Sequence, residues 1–179
     1  MSGGTERVAV VTGAGSGLGR EISLGLVARG YRVFGTALAP TEVADLDAAS
    51  GGAARLEVVD IVDSAAVGAW AKGVGEEVAG VDLLISNAGI LTPGPIELLA
   101  IDDVRHEFEV NTFGPLRVIN AFLPALRAAL DAGMTPEALI ALAFARLDAL
   151  GDTGILIHDA REAALAAARA LGPRDGRPL

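Results

Sequence analysis

Short apolar runs alternate with longer amphipathic stretches along the first 130 residues. The runs predict four β-strands, at residues 8–11, 31–36, 55–59 and 81–86. The stretches predict four helices, at residues 18–29, 42–48, 64–79 and 101–130. Strands that alternate with helices pair in parallel through right-handed crossovers, so the pattern indicates an α/β sheet covered by helices on both faces.

Capping and helix-breaking residues predict where these elements end or bend. Gly30 is placed to close the first helix, and Ser64 is an expected N-cap for the third. Pro115 and Pro124 fall inside the long fourth helix, where we expect kinks.

The pattern changes near residues 131–133, which predicts two parts: a dinucleotide-binding domain at residues 1–130 and a helical C-terminal segment at residues 131–179. Two Ala- and Leu-rich helices are expected in that segment, at residues 136–150 and 160–171. Residues 154–158 between them are too short for a helix and could form a fifth strand.

Composition excludes several function classes. The net charge of −9 argues against a nucleic-acid partner, because phosphate binding needs a basic face. No apolar stretch reaches the length of a membrane span and no secretory signal is evident, so we expect a cytoplasmic protein. The chain has no cysteine, and His106 lies among acidic residues typical of a solvated helix face, so no metal site is predicted.

The strongest motif is the glycine-rich turn at residues 12–19, Thr-Gly-Ala-Gly-Ser-Gly-Leu-Gly, between the first strand and the first helix. Glycines let the backbone approach a pyrophosphate closely, and the amides that open the helix then face the phosphates. The alternative is a flexible turn that binds nothing. The cofactor-binding residues predicted here are Gly13, Ser16, Gly17, Leu18 and Gly19.

This turn resembles that of the short-chain dehydrogenase/reductase family, and the likeness extends over about residues 7–129. It implies a Rossmann-like three-layer domain with a parallel sheet of order 3-2-1-4. It also implies that Asp60, with Ile61 beside it, accepts a hydrogen bond from the adenine amino group. Residues 86–89, Ser-Asn-Ala-Gly, resemble the family's Asn-Asn-Ala-Gly at the end of the fourth strand, with Ser86 in place of the first Asn. The resemblance implies that Asn87 braces the sheet and that the backbone of Ala88 and Gly89 passes the cofactor ribose. Asn111 matches a catalytic Asn that anchors a water in the proton relay.

The resemblance implies NAD or NADP as the cofactor. An acid at the end of the second strand favours NAD, and a base there favours NADP. Residues 35–38 carry neither charge, and Arg20 is the nearest base, so the preference stays undetermined.

Family catalysis uses a Ser and a Tyr with a Lys four residues later, which lowers the pKa of the Tyr from about 10. The sequence has one tyrosine, Tyr31, and one lysine, Lys72, which cannot form that pair. We therefore expect a family member truncated before the pair, an oxidoreductase by resemblance whose turnover alone is not expected.

Residues 126–179 resemble the N-terminal helices of amidase-signature enzymes. Two alternatives to a bare cofactor-binding fragment stay open: a noncatalytic nucleotide-binding or interaction module, and an enzyme half that a partner chain completes. A homo-oligomer through an exposed sheet edge or through the long fourth helix is a further expectation.

Overall fold

The computed structural model of the chain describes residues 6–131 and the single residue Ala166. Its strands are β1 (Arg7–Val11), β2 (Tyr31–Ala37), β3 (Ala54–Val58) and β4 (Leu83–Ile85). Its α-helices are α1 (Gly17–Val27), α2 (Pro40–Ser50), α3 (Ser64–Glu77), α4 (Ile101–Phe108) and α5 (Gly114–Asp131). A 3₁₀ turn at Ile96–Leu98 precedes α4.

The four strands form one parallel sheet in the order β3-β2-β1-β4, which confirms the predicted topology. β1 lies in the middle, with Val10 opposite Phe34 of β2 on one side and opposite Leu84 of β4 on the other. All four strands therefore end at the same edge of the sheet, where loops from several strands meet.

The sheet separates two apolar cores, because successive side chains of a strand point to opposite faces. Val8 and Val10 of β1 face the core that contains α3 and α5, where Trp70 packs edge-on against Phe122 with ring centroids 4.8 Å apart. Ala9 and Val11 face the second core, with Leu46 of α2 and apolar side chains of α1. This arrangement is the predicted three-layer α/β domain.

Three local predictions differ from the structure. Asp63, not Ser64, is the N-cap of α3: its backbone is extended and its carboxylate accepts hydrogen bonds from the amides of Ala65 and Ala66 at 2.8 and 3.0 Å. The single long helix predicted at residues 101–130 is two helices, α4 and α5, joined by a π-helical turn at Glu109–Phe113. The strand predicted at residues 81–86 is shorter, since only Leu83–Ile85 pair with β1.

The chain divides into two compact units, residues 1–129 and residues 130–179. The helices predicted at 136–150 and 160–171 and the strand predicted at 154–158 lie outside the described residues, apart from Ala166, which is helical. Their assignment, and the division of roles between the two parts of the chain, stay predictions. No helix in residues 6–131 combines the length and the hydropathy that crossing a bilayer requires.

Candidate functional site

A cleft of about 350 Å³ opens where the strands end. Its floor is the glycine turn after β1 together with the ends of β2, β3 and β4, and α4 and the π-helical turn close one side. Of the predicted site residues, the cleft is lined by Gly13, Ser16, Asp60, Ile61, Asn87, Ala88 and Gly89. One cleft therefore brings together three motifs that lie far apart in the sequence.

The glycine turn is held in shape by β2. Gly13 adopts a left-handed φ of 62°, and its amide donates to the hydroxyl of Thr36 at 3.1 Å. The amide of Ala14 donates to the carbonyl of Thr36 at 2.8 Å. Because Thr36 is itself buried, the turn is fixed from beneath while its upper side stays open to the cleft.

The other predicted residues of the turn divide into two kinds. Gly19 is buried in α1, and a side chain there would overlap the carbonyl of Gly13 and the amide of Asn87. Gly19 therefore permits close packing of helix and turn, while Gly13 and Ser16 line the cleft. Gly17 (φ 52°) and Leu18, which is 70% exposed, begin α1 without lining the cleft.

Thr12 and Asn87 join the glycine turn to the end of β4. The buried hydroxyl of Thr12 accepts hydrogen bonds from the amides of Asn87 and Ala88 at 3.0 and 3.1 Å. The side-chain amide of Asn87 donates to the carbonyls of Thr12 and Gly13, both at 3.1 Å. Asn87 therefore braces the sheet, as the resemblance implies, and Ala88 and Gly89 are presented to the cleft.

Asp60 and Ile61 follow β3 and differ in exposure. Ile61 is 4% exposed and belongs to the core beside α3. Asp60 is exposed at the cleft, and its Oδ1 accepts a hydrogen bond from the amide of Val62 at 3.1 Å. Its Oδ2 has no hydrogen-bond partner among residues 6–131, so this oxygen can accept a hydrogen bond from a ligand.

Asn111, the predicted catalytic residue, does not line the cleft. It lies in the π-helical turn, and both ends of its side chain bind the backbone of Ile90: Oδ1 accepts from the Ile90 amide at 2.9 Å and Nδ2 donates to the Ile90 carbonyl at 2.7 Å. Ile90 does line the cleft. In this geometry Asn111 holds the loop after β4 against the helices, and its role in a proton relay stays a prediction.

Glu42 lines the cleft and was not predicted. It lies in the first turn of α2, and its Oε2 accepts hydrogen bonds from the amides of Leu38 and Ala39 at 3.2 and 3.3 Å. The bond to Ala39 is the half of a capping box that the acid at the third helical position supplies; Ala39 has no side-chain oxygen to supply the other half. The sequence does contain a signal for this position: Pro40 at the first helical position, followed by an acid in the first turn, is typical of a helix start. A helix that starts there places the acid near the end of β2.

The single tyrosine and the single lysine lie away from the cleft. Tyr31 is the first residue of β2, at the end of the strand away from the cleft, and is 7% exposed beneath the guanidinium of Arg7. Lys72 lies on α3, where it pairs with Glu76 at 3.7 Å. Neither side chain is placed to act on a molecule in the cleft.

Comparison with known proteins agrees with this architecture. A family model described as short chain dehydrogenase matches residues 7–134. The chain is 38% identical to retinol dehydrogenase 5 of Homo sapiens over 122 residues, which is 66% of this chain and 38% of that protein. It is 33% identical to 1-deoxy-11-beta-hydroxypentalenate dehydrogenase of Streptomyces avermitilis over 177 residues, 96% of this chain and 64% of that protein.

Among solved structures, the NADPH-bound carbonyl reductase from chicken fatty liver matches with a TM-score of 0.66 and 30% identity, over 72% of this chain and 51% of that one. The chain thus spans less than two thirds of each of these relatives.

The parallel sheet and its glycine-rich strand–helix turn define a Rossmann-like α/β protein. The chain belongs to the short-chain dehydrogenase/reductase family, which confirms the resemblance drawn from its motifs. Family membership and the NADPH-bound neighbour support NAD or NADP as the cofactor.

Proposed function

We propose that the cleft binds the ADP-ribose half of NAD or NADP. The pyrophosphate lies over the glycine turn and the amides that begin α1, the adenine amino group donates to Asp60, and the ribose follows Ala88 and Gly89. The observation that carries the proposal is the convergence of these three motifs on one cleft at the carboxyl edge of the sheet. On the phosphate side of this site, Gly13 and Ser16 line the cleft, the amides of Gly17 and Leu18 begin α1, and Gly19 allows α1 to pack closely behind the turn.

We further propose that this chain binds the cofactor without transferring hydride. Neither Tyr31 nor Lys72 can serve as the proton donor, and Asn111 uses both ends of its side chain on Ile90. General acid–base catalysis needs a titratable group within hydrogen-bond reach of the reacting oxygen. The nicotinamide half of the cofactor then has fewer partners than the adenine half.

Calorimetry with NAD, NADP and ADP-ribose tests binding, and absorbance of reduced cofactor tests turnover with alcohol and carbonyl substrates. We expect weak binding in which ADP-ribose binds nearly as well as the better of the two dinucleotides, and no detectable hydride transfer. Robust turnover by the purified single chain would contradict the second half of the proposal, and absence of any binding would contradict the first.

A matched pair of variants makes the binding test specific to the glycine turn. Gly13→Ala is expected to abolish binding, because Gly13 has a left-handed φ and a Cβ there would lie 3.0 Å from the Cα of Ala88. Gly75→Ala on α3 serves as the control, since a Cβ at Gly75 meets no atom within 4 Å. Equal loss of binding in both variants would indicate general destabilisation instead of a cofactor site.

A second candidate, an enzyme half completed by another chain, is favoured by one observation. Large apolar side chains are exposed between residues 91 and 119, among them Leu91 at 79% and Phe108 at 58%. Such surfaces commonly mark interaction sites. A partner that carries Tyr-x-x-x-Lys and restores hydride transfer when mixed with this chain would establish this function.

A further inference from the structure

We propose that Glu42 makes the cleft selective for NAD over NADP, by accepting a hydrogen bond from the 2'-hydroxyl of the adenosine ribose and repelling a 2'-phosphate. This inference rests on the proposed function of the cleft and goes beyond it by naming the cofactor and the residue that selects it. The acid comes from the first turn of α2 instead of the end of β2, where residues 35–38 carry no charge.

Glu42 lies directly beside the glycine turn. A Cβ added at Gly15 would lie 2.7 Å from the Cβ of Glu42 and 3.0 Å from its carboxyl carbon. Gly15 therefore has no side chain in part because the Glu42 side chain occupies that space. The carboxylate lies between the phosphate turn and the end of β2, which is where this fold places the ribose hydroxyls.

The backbone amides that follow β2 are already bound to Glu42. A 2'-phosphate would need donors at this point, and the amides of Leu38 and Ala39 are the ones the strand end offers. Both already donate to Oε2 of Glu42. Oε1 has no hydrogen-bond partner among residues 6–131, so a ribose hydroxyl finds an acceptor where a phosphate finds no free amide.

The charges around the cleft also favour a hydroxyl over a phosphate beside Glu42. Among residues 6–131, the lining of the cleft includes the carboxylates of Glu42 and Asp60 and the imidazole of His106 on α4, and no lysine or arginine. Arg20, the nearest base in the sequence of the turn, pairs with Glu21 at 3.0 Å and does not line the cleft. A phosphate dianion brought beside Glu42 would therefore lose hydration without gaining a lysine or arginine partner, whereas a hydroxyl brings no charge.

Titration with ADP-ribose and with 2'-phospho-ADP-ribose tests this selectivity without involving the nicotinamide. We expect the wild-type chain to bind ADP-ribose about ten- to hundredfold more tightly, the range that a hydrogen bond to a charged group provides. Glu42→Gln keeps an oxygen for the amides of Leu38 and Ala39 but removes the charge. It should lower the preference at least about tenfold, with the melting temperature recorded to show that the variant is folded.

Asp45→Asn is the matched control, because Asp45 is an exposed acid on the same helix that does not line the cleft. It makes the same change in net charge and should leave the preference as in the wild type. A wild-type chain that binds the 2'-phosphorylated ligand equally or more tightly would overturn the assignment, as would an unchanged preference in Glu42→Gln. If a folded wild-type chain binds neither ligand, the proposed cofactor site itself is wrong, which is a different result.

Discussion

At the scale of single residues, the Asp60 carboxylate divides its two oxygens between the chain and the cleft. Oδ1 accepts from the amide of Val62, and Oδ2 has no partner within residues 6–131. An oxygen held in this way by its own loop is preorganised, because binding a ligand donor does not have to order the side chain first.

Replacing Asp60 with Asn should separate ligand binding from folding. The Asn oxygen can still accept from Val62, but the amide nitrogen then stands where the adenine amino group needs an acceptor. Loss of a charge-assisted hydrogen bond is worth about 1.5–3 kcal/mol, so the dissociation constant for ADP-ribose should rise at least several-fold while the melting temperature of the free protein barely changes.

Asp63→Ala is the reciprocal control, measured by the same calorimetry and thermal melting. Asp63 caps α3 and does not line the cleft, so its loss should cost about 1 kcal/mol of stability and leave the dissociation constant unchanged. An unchanged constant in Asp60→Asn would reduce Asp60 to a loop residue that orders its own turn.

At the scale of elements, the contact between the glycine turn and β4 depends on the hydroxyl of Thr12. Thr12 is fully buried, and its oxygen is the acceptor for two successive amides, those of Asn87 and Ala88. Because β4 pairs with β1 over only three residues, these side-chain contacts extend the link between the strands beyond the ladder itself.

Thr12→Val should therefore destabilise the domain by more than an average surface substitution. Valine has nearly the same shape but leaves the amides of Asn87 and Ala88 without an acceptor, at a cost of about 1–3 kcal/mol for each group that stays buried. Chemical denaturation measures the change in unfolding free energy, and Thr12→Ser, which keeps the hydroxyl, should recover most of it. A neutral Thr12→Val would show that water replaces the lost acceptor.

How far these elements could be predicted depends on whether their signals are local. Strand order followed from the alternation of elements and the family resemblance, and the roles of Gly13 and Asn87 in the turn could be expected from their motifs. The N-cap of α3 could not, since Asp63 and Ser64 are adjacent and both are good caps; the extended backbone of Asp63, with φ −84° and ψ 102°, decides between them. Inspecting only the residues at the end of β2 for an acid misses Glu42, because Glu42 lies in α2 and only the fold brings its carboxylate to that strand end.

Asn111 shows the same limit in another form. Its identity and spacing match the family motif, but the sequence does not reveal that the helix widens to a π-helical turn at Glu109–Phe113. Nor does the sequence reveal that both polar atoms of the Asn111 side chain form hydrogen bonds with the backbone of Ile90. Long-range partners of this kind are set by tertiary packing, not by a local pattern.

At the scale of the whole molecule, the described residues expose an apolar stripe on the α4–α5 side. Phe113, Leu116 and Ile119 are three residues apart and are 49%, 51% and 38% exposed. Residues three apart are neighbours on a helix surface, so Leu116 and Ile119 are neighbours on α5, and Phe113 ends the π-helical turn just before it. Together with the exposed apolar side chains between residues 91 and 108, the stripe exceeds the isolated apolar residues normally found on a surface.

We predict that the chain self-associates through this stripe, with sedimentation equilibrium as the measurement. Leu116→Arg should shift the protein toward monomer by placing a charge within the apolar surface, and Ala48→Arg on the exposed side of α2 should not. A wild-type chain that stays monomeric at high micromolar concentration would contradict the prediction. Self-association that persists in Leu116→Arg would indicate that the interface is the exposed edge of β4 instead of the stripe.

Because β4 is short, the sheet is expected to open locally at this strand. Among the described strands it is the shortest, and it is paired on one side only, to β1. Local opening of such an edge costs less free energy than opening of the central strands, so its amide protons exchange with solvent through the more frequent fluctuation. A ligand that spans the glycine turn and Asn87–Gly89 binds only while the edge is closed. Ligand affinity and the slowing of amide exchange in β4 are then two measures of one equilibrium.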